Sequence, residues 1–222
     1  MVKAVIFDFD GTITNRPKNT YDLFDAELKC FVPNMSDIEY EAFIQDFLTF
    51  DCYGTIPLES RIDLLKHKYE LPEDFKEVWK KIYYEAMPKY IVLKDDTVDV
   101  LKTLQGKYKL AIISNGGSSS QHSKIEAANI KQYFDCVIVS DDIGYRKPEN
   151  RLFDYAADKL NVKNEECVFI GDVFSSDILG AINANMTPVW FCADSERPAS
   201  HYKGYRIDKL SKVLDILKQL EN

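Results

Sequence analysis

Two carboxylates, Asp8 and Asp10, stand either side of Phe9, directly after the apolar run "AVIF" (4–7). Further along, the same kind of run ends in other reactive groups. "LAIIS" (110–114) ends at Ser114 and is followed by Asn115. Beyond "CVIVS" (136–140) lies Lys147, and beyond "CVFIG" (167–171) lie Asp172 and Asp177. Carboxylates gathered in one place repel and raise one another's pKa. A hard divalent cation relieves that conflict, and an all-oxygen ligand set suits Mg²⁺, which keeps several of its waters. Lys147, the Ser114 hydroxyl and nearby backbone N–H groups can hold the oxygens of a phosphoryl group. One aspartate oxygen could then attack phosphorus in line and form an aspartyl phosphate. A second aspartate could protonate the leaving oxygen and later deprotonate a water. Phosphoryl transfer asks a protein mainly for positioning and charge neutralisation, and this set offers both.

Such residues can meet only if the runs that carry them are neighbouring strands. The four runs, with "PVWF" (188–191), lack period-2 alternation, which predicts strands buried on both faces. Helix-period segments lie between them: "TVDVLKTLQG" with Gly106 as its stop, "PENRLFDYAADKL" opening at Pro148, "SSDILGAINAN" and "LSKVLDILKQL". Strand and helix in alternation predict βαβ units, a parallel sheet and helices on both faces. In an open sheet of this kind ligands bind beyond the carboxyl ends of the strands. Asp8, Asp10, Ser114, Asn115, Lys147, Asp172 and Asp177 all fall there.

Residues 15–89 contain no strand pattern. Four helical stripes follow one another: Phe24, Leu28 and Phe31; Phe43, Phe47 and Phe50; Leu58, Ile62, Leu65 and Tyr69; Phe75, Val78, Ile82 and Ala86. Ser36 and Glu39 have capping-box spacing. The expected organisation is a Rossmann-like, doubly wound core of residues 1–14 and 90–222 with an all-helical subdomain, 15–89, inserted after the first strand. Its aromatic stripes are read as packing. Tyr53 and Arg61, near the turn-like "DCYGTIP" (51–57), are candidates to touch substrate, although for each the plainer reading is a residue without that role; Arg146 is read as a surface or salt-bridging arginine and the three histidines as ordinary residues.

Composition narrows the function further. The chain has 222 residues, 45% of them apolar, and a net charge of −8. That balance argues against nucleic-acid binding, which needs a basic face. The five cysteines are scattered, without C-x-x-C spacing, and are expected to be small core thiols in a reducing cytoplasm. The first apolar run is too short for a signal peptide, and no stretch reaches the length of a membrane span.

"DFDGT", "SNGG", "RKPEN" and "GDVFSSD", in this order, resemble the four motifs of the haloacid dehalogenase-like (HAD) superfamily across essentially the whole chain. The resemblance implies a helical cap and assigns Asp8 as nucleophile and Asp10 as general acid/base. Ser114, the Asn115 backbone and Lys147 would bind the phosphoryl group. Mg²⁺ would be held by the Asp8 side chain, the Asp10 carbonyl and Asp172, with Asp177 binding it through water or orienting Lys147. Dehalogenase and phosphonate-cleaving relatives lack an acid at the position of Asp10, so its presence favours a phosphatase of small phosphorylated metabolites. A phosphomutase on the same scaffold, or a non-catalytic phospho-acceptor module, are the alternatives; the latter class carries no large helical insert after its first strand. For Asp177 the plain alternative is an acid that complements a helix N-terminus.

Overall fold

The computed structural model describes residues 1–32, 34–192, 197–199 and 201–221. The chain divides into an α/β unit, Met1–Thr14 with Leu93–Asn222, and a helical unit, Asn15–Val92. In the α/β unit the strands are β1 (Ala4–Phe7), β2 (Lys109–Ser114), β3 (Cys136–Val139), β4 (Cys167–Gly171), β5 (Thr187–Phe191) and β6 (Tyr205–Ile207). They form one parallel sheet in the order β3-β2-β1-β4-β5-β6. The central strands β1 and β4 are buried throughout, as their unbroken apolar runs require. Two strand assignments change. β6, "YRI", was not expected, because it is short and only Ile207 is buried, so it shows neither a run nor an alternation. Ser140, expected as the last residue of β3, instead opens a short helix.

The order reverses beside β1: β2 and β3 lie on one side of it, β4 to β6 on the other. This is the switch point at which open α/β sheets bind ligands. Phe7 pairs with Ile112 of β2 and with Ile170 of β4; β4 runs one residue further, to Gly171, and β2 two, to Ser114.

Ten α-helices are present among the described residues. In the helical unit they are α1 (Arg16–Glu27), α2 (Asp37–Asp51), α3 (Leu58–Lys68) and α4 (Phe75–Ala86). In the α/β unit they are α5 (Thr97–Leu104), α6 (Ser118–Ala127), α7 (Ser140–Ile143), α8 (Asn150–Leu160), α9 (Leu179–Asn183) and α10 (Val213–Glu221). Leu152, Phe153, Ala156 and Leu160 of α8 pack on Ala4, Ile6, Ala111, Ile113 and Phe169 of the sheet. Each large apolar side chain so buried contributes about 1.5–3 kcal/mol. α8 begins two residues beyond Pro148, the expected first position. After β4 the chain makes a π-helical turn, Phe174–Ile178, before α9, where a single α-helix was expected. The Leu179 N–H reaches back to the Phe174 carbonyl to close that turn, and Asp177 is fastened at its start. Its N–H donates to the Val173 carbonyl at 2.8 Å, and its Oδ2 accepts the Val173 N–H at 2.9 Å.

The helical unit has its own core of Leu23, Phe24, Phe43, Phe47, Ile62, Leu65, Phe75 and Trp79. The Phe24 ring lies 4.5 Å from Phe47 and 4.4 Å from Trp79, centroid to centroid. The capping box at Ser36 and Glu39 forms. α1 starts earlier than its apolar stripe suggests. The Asn15 side chain caps it by accepting the Lys18 N–H, and Pro17 sits in its first turn. It ends at Glu27, and Phe31, expected on the buried face, is exposed. Arg61, named from sequence as a cap residue that could touch substrate, is buried in an ion-pair cluster. Asp51 accepts from Arg16 at 2.7 and 3.0 Å, from the Gly54 N–H at 2.9 Å, and from Arg61. Of the cysteines, Cys167 and Cys192 are buried, whereas Cys30 and Cys52 are exposed, contrary to the expectation of core thiols. No helix among the described residues is long and apolar enough to cross a membrane.

Candidate active site

The residues singled out from sequence meet at the carboxyl edge of the sheet. Asp8 follows β1, and its N–H still bonds the Ile170 carbonyl of β4 at 2.8 Å, which extends the ladder by one residue. The chain then turns sharply at Gly11, whose φ is +88°. A Cβ there would lie 2.4 Å from Asp172 Oδ2, so glycine is required both by the turn and by the approach of that carboxylate. The next residue, Thr12, donates its hydroxyl to Asp172 Oδ1 at 3.1 Å. The Asp172 carbonyl accepts from the Trp190 indole N–H at 3.0 Å and from Arg197 at 3.2 Å, which anchors the segment after β4.

Lys147 is buried, with Nζ 2.5 Å from Asp8 Oδ1 and 2.7 Å from Asp177 Oδ1. Its backbone is clamped by the Asn115 side chain. Lys147 N–H donates to Asn115 Oδ1 at 2.9 Å, and Asn115 Nδ2 donates to the Lys147 carbonyl at 3.0 Å. The Asn115 amide thus aims the lysine. Asp8, Asp172 and Asp177 each offer an oxygen within 4.8 Å of the others'. All three are buried.

Burial sets the charge states. It pushes the Asp8 carboxyl well above the usual range; Lys147 opposes the shift, and Asp177 and Asp10 add to it. For Lys147 burial alone would lower the pKa, but Asp177 and Asp8 outweigh it and hold the ammonium above its ordinary value. Lys147 pairs two of the three buried carboxylates, and the charge of the third, Asp172, is felt by Lys94.

Asp10 stands apart from that cluster. Its Oδ2 accepts from Lys124 Nζ at 2.6 Å and from Gln121 Nε2 at 3.0 Å. The same Gln121 amide donates to the Ser114 hydroxyl oxygen. Sequence reasoning did not single out Gln121 or Lys124. Both lie on α6, one turn apart, and both are buried beside Ile125. The available signal was a polar pair sharing a helix face with an apolar residue, directly after a strand that ends in the site. Arg146, His67 and His201 make no contact with these groups in the described structure, and His122 pairs with Asp142 at the surface.

Comparison with known proteins bears on what such a site does. A family model described as "Haloacid dehalogenase-like hydrolase" matches residues 5–191. The chain belongs to that family. This HAD-like hydrolase is 26% identical to the glyceraldehyde 3-phosphate phosphatase of Pyrococcus furiosus, over 98% of this chain and 94% of that one. It is 30% identical to the pyrimidine 5'-nucleotidase YjjG of Escherichia coli, over 61% of each chain. Among solved structures, an HAD phosphatase from Thermococcus onnurineus is 28% identical with a TM-score of 0.66, covering 97% of this chain and 98% of that one. The HAD hydrolase YfnB from Bacillus subtilis shares the fold at a TM-score of 0.77 and 22% identity, covering 97% and 98%. Hydrolysis of phosphate monoesters is the activity these matches support.

Proposed function

We propose that this HAD-like hydrolase is a Mg²⁺-dependent phosphatase of a small phosphorylated metabolite, working through a phosphorylated Asp8. The observation that carries the reading is the buried Asp8–Lys147–Asp177 chain beside Asp172, with Asp10 held separately on Ser114's side of the site. In the first step an Asp8 oxygen forms a bond to phosphorus as the bond from phosphorus to the ester oxygen breaks. The ester oxygen takes the electron pair and a proton from Asp10, and leaves as an alcohol. In the second step Asp10 removes a proton from water, whose oxygen attacks phosphorus and frees Asp8 and inorganic phosphate. Lys147, Ser114 and the Asn115 backbone hold the phosphoryl oxygens throughout.

The donor set fits a divalent cation. Three buried carboxylates, Asp8, Asp172 and Asp177, each bring an oxygen to one place, and burial, with Asp177 adding to it, has raised the Asp8 pKa. The Asp8 side chain, the Asp10 carbonyl and Asp172 would hold Mg²⁺. When bound it supplies charge neutralisation for the phosphoryl oxygens. Asp177 spends one oxygen on Lys147 and the other on the Val173 N–H, so its first task is to orient the lysine. We assign the helical unit the part of the family's cap, the element that sets specificity. The acidic chain takes no nucleic acid or membrane partner and works in the cytoplasm on this reading.

The test is release of inorganic phosphate from an aryl phosphate, with and without Mg²⁺. Turnover that needs the ion and disappears in Asp8→Asn is expected. Full activity in Asp8→Asn, or an isomerised ester with no free phosphate, would overturn the proposal.

A further inference from the structure

α6 contributes two side chains that the reaction scheme has not used. Lys124 is only 4% exposed, and Gln121 only 3%. Burying an ammonium is unfavourable unless it is paired, and its partner here is a single oxygen, Asp10 Oδ2. The Lys124 ammonium also lies 5.9 Å from the centre of the buried Phe9 ring, the residue between the two aspartates. Gln121 is more informative still. One amide nitrogen donates both to Asp10 Oδ2 and to the Ser114 hydroxyl oxygen, so it ties the acid/base carboxylate to a phosphoryl-binding hydroxyl. The seat for that amide is made by Gly116. Its φ is +152°, and a Cβ there would fall 2.8 Å from Gln121 Cγ.

A core ion pair needs no such bridge. Two donors converging on one oxygen fix the plane of the Asp10 carboxylate, and the shared amide fixes its distance from Ser114. We propose that Gln121 and Lys124 are positioning residues for proton transfer: they hold Asp10 so that it addresses the leaving-group oxygen of a phosphoryl group seated on Ser114. This rests on the phosphatase reading and adds to it. When the ester bond breaks, the proton passes from Asp10 to the departing oxygen. Lys124 then faces the carboxylate that remains.

The signature of such a role is its dependence on the leaving group. A nitrophenolate departs without a proton, whereas an alkoxide does not. The experiment therefore measures kcat/KM, which reports the first phosphoryl transfer, for p-nitrophenyl, phenyl and benzyl phosphate with Mg²⁺. General acid catalysis is worth about 10²–10⁴-fold. Lys124→Met and Gln121→Leu should each lower kcat/KM for benzyl phosphate by about 10–100-fold while changing p-nitrophenyl phosphate by less than about threefold. Asp10→Asn should show the same pattern more strongly, and adding Lys124→Met to it should change nothing further. Lys124→Arg should recover much of the benzyl activity. An equal loss on all three esters, an additive loss in the double variant, or an unchanged benzyl rate would overturn the positioning role. If Lys124→Met does not fold, Gln121→Leu decides the matter alone. A wild-type enzyme that hydrolyses none of the esters would instead sink the phosphatase reading itself.

Discussion

Asp8 is where charge and burial conflict most. Its native pKa is raised, chiefly by burial, above the unfolded value of about 3.9. Between those two values the native state binds a proton that the unfolded state does not. Asp8 therefore contributes stability that is fully present below its unfolded pKa and is lost as pH rises through its native one. Asp8→Asn removes that loss, because a neutral amide stands in for the protonated acid. In EDTA, thermal denaturation at pH 8 should show Asp8→Asn melting above wild type, by about 2–4 °C for each kcal/mol recovered, with the gap closing toward pH 4. With saturating Mg²⁺ the order should reverse, because the variant has lost a carboxylate ligand. A variant that melts lower than wild type in EDTA at pH 8 would show that the Lys147 ion pair outweighs the burial of Asp8. The residue types at this scale were legible in the sequence: a carboxylate, hydroxyl or lysine that ends an apolar run declares itself against its surroundings. Gln121 and Lys124 did not declare themselves, since polar residues on a helix read as solvent-facing until packing shows otherwise.

The turns and loops decide how sharply those residues are aimed. At Gly11 the left-handed backbone and the closeness of Asp172 act together. Gly11→Ala should cost about 1–3 kcal/mol from backbone strain, with further loss from the displaced Asp172 carboxylate. Urea titration would measure the first, and Mg²⁺ affinity by calorimetry the second. In the helical unit the corresponding feature is Asp51 at the end of α2. Burial would raise its pKa, but Arg16, Arg61 and the Gly54 N–H outweigh it and hold the carboxylate below its usual range. Its contribution is thus present above the unfolded pKa and lost as pH falls through the native one. Asp51→Ala leaves two largely buried guanidinium groups without that partner and should destabilise the unit by about 3–5 kcal/mol. Circular dichroism during urea unfolding reads this directly, and a change below about 1 kcal/mol would mean the cluster is already open to solvent. The sequence marked 51–57 as a turn. It did not reveal the cluster, because Arg16, Asp51 and Arg61 lie on three separate helices or their ends.

At the scale of the whole molecule, each unit has a core of its own. The helical unit also has its ends together: the Asn15 N–H bonds the Val92 carbonyl at 2.8 Å. An inserted segment that starts and finishes at one place and carries its own core has what independent folding needs. Residues 15–92 expressed alone should be helical and unfold cooperatively, which far-ultraviolet circular dichroism with a thermal melt would check; a non-cooperative melt would refute it. Sequence alone determined the alternation of strand and helix, the four helical stripes between residues 15 and 89, and which residue types end each central strand. Those features are local, set by runs of apolar residues and the points at which they stop. Only the tertiary structure decided the pairings: Lys147 with Asp8 and Asp177, Lys124 and Gln121 with Asp10. Lys147 and Asp8 are 139 residues apart, Lys124 and Asp10 114. Strand register and the docking of α6 close those separations, and neither leaves a mark in any short stretch of the chain.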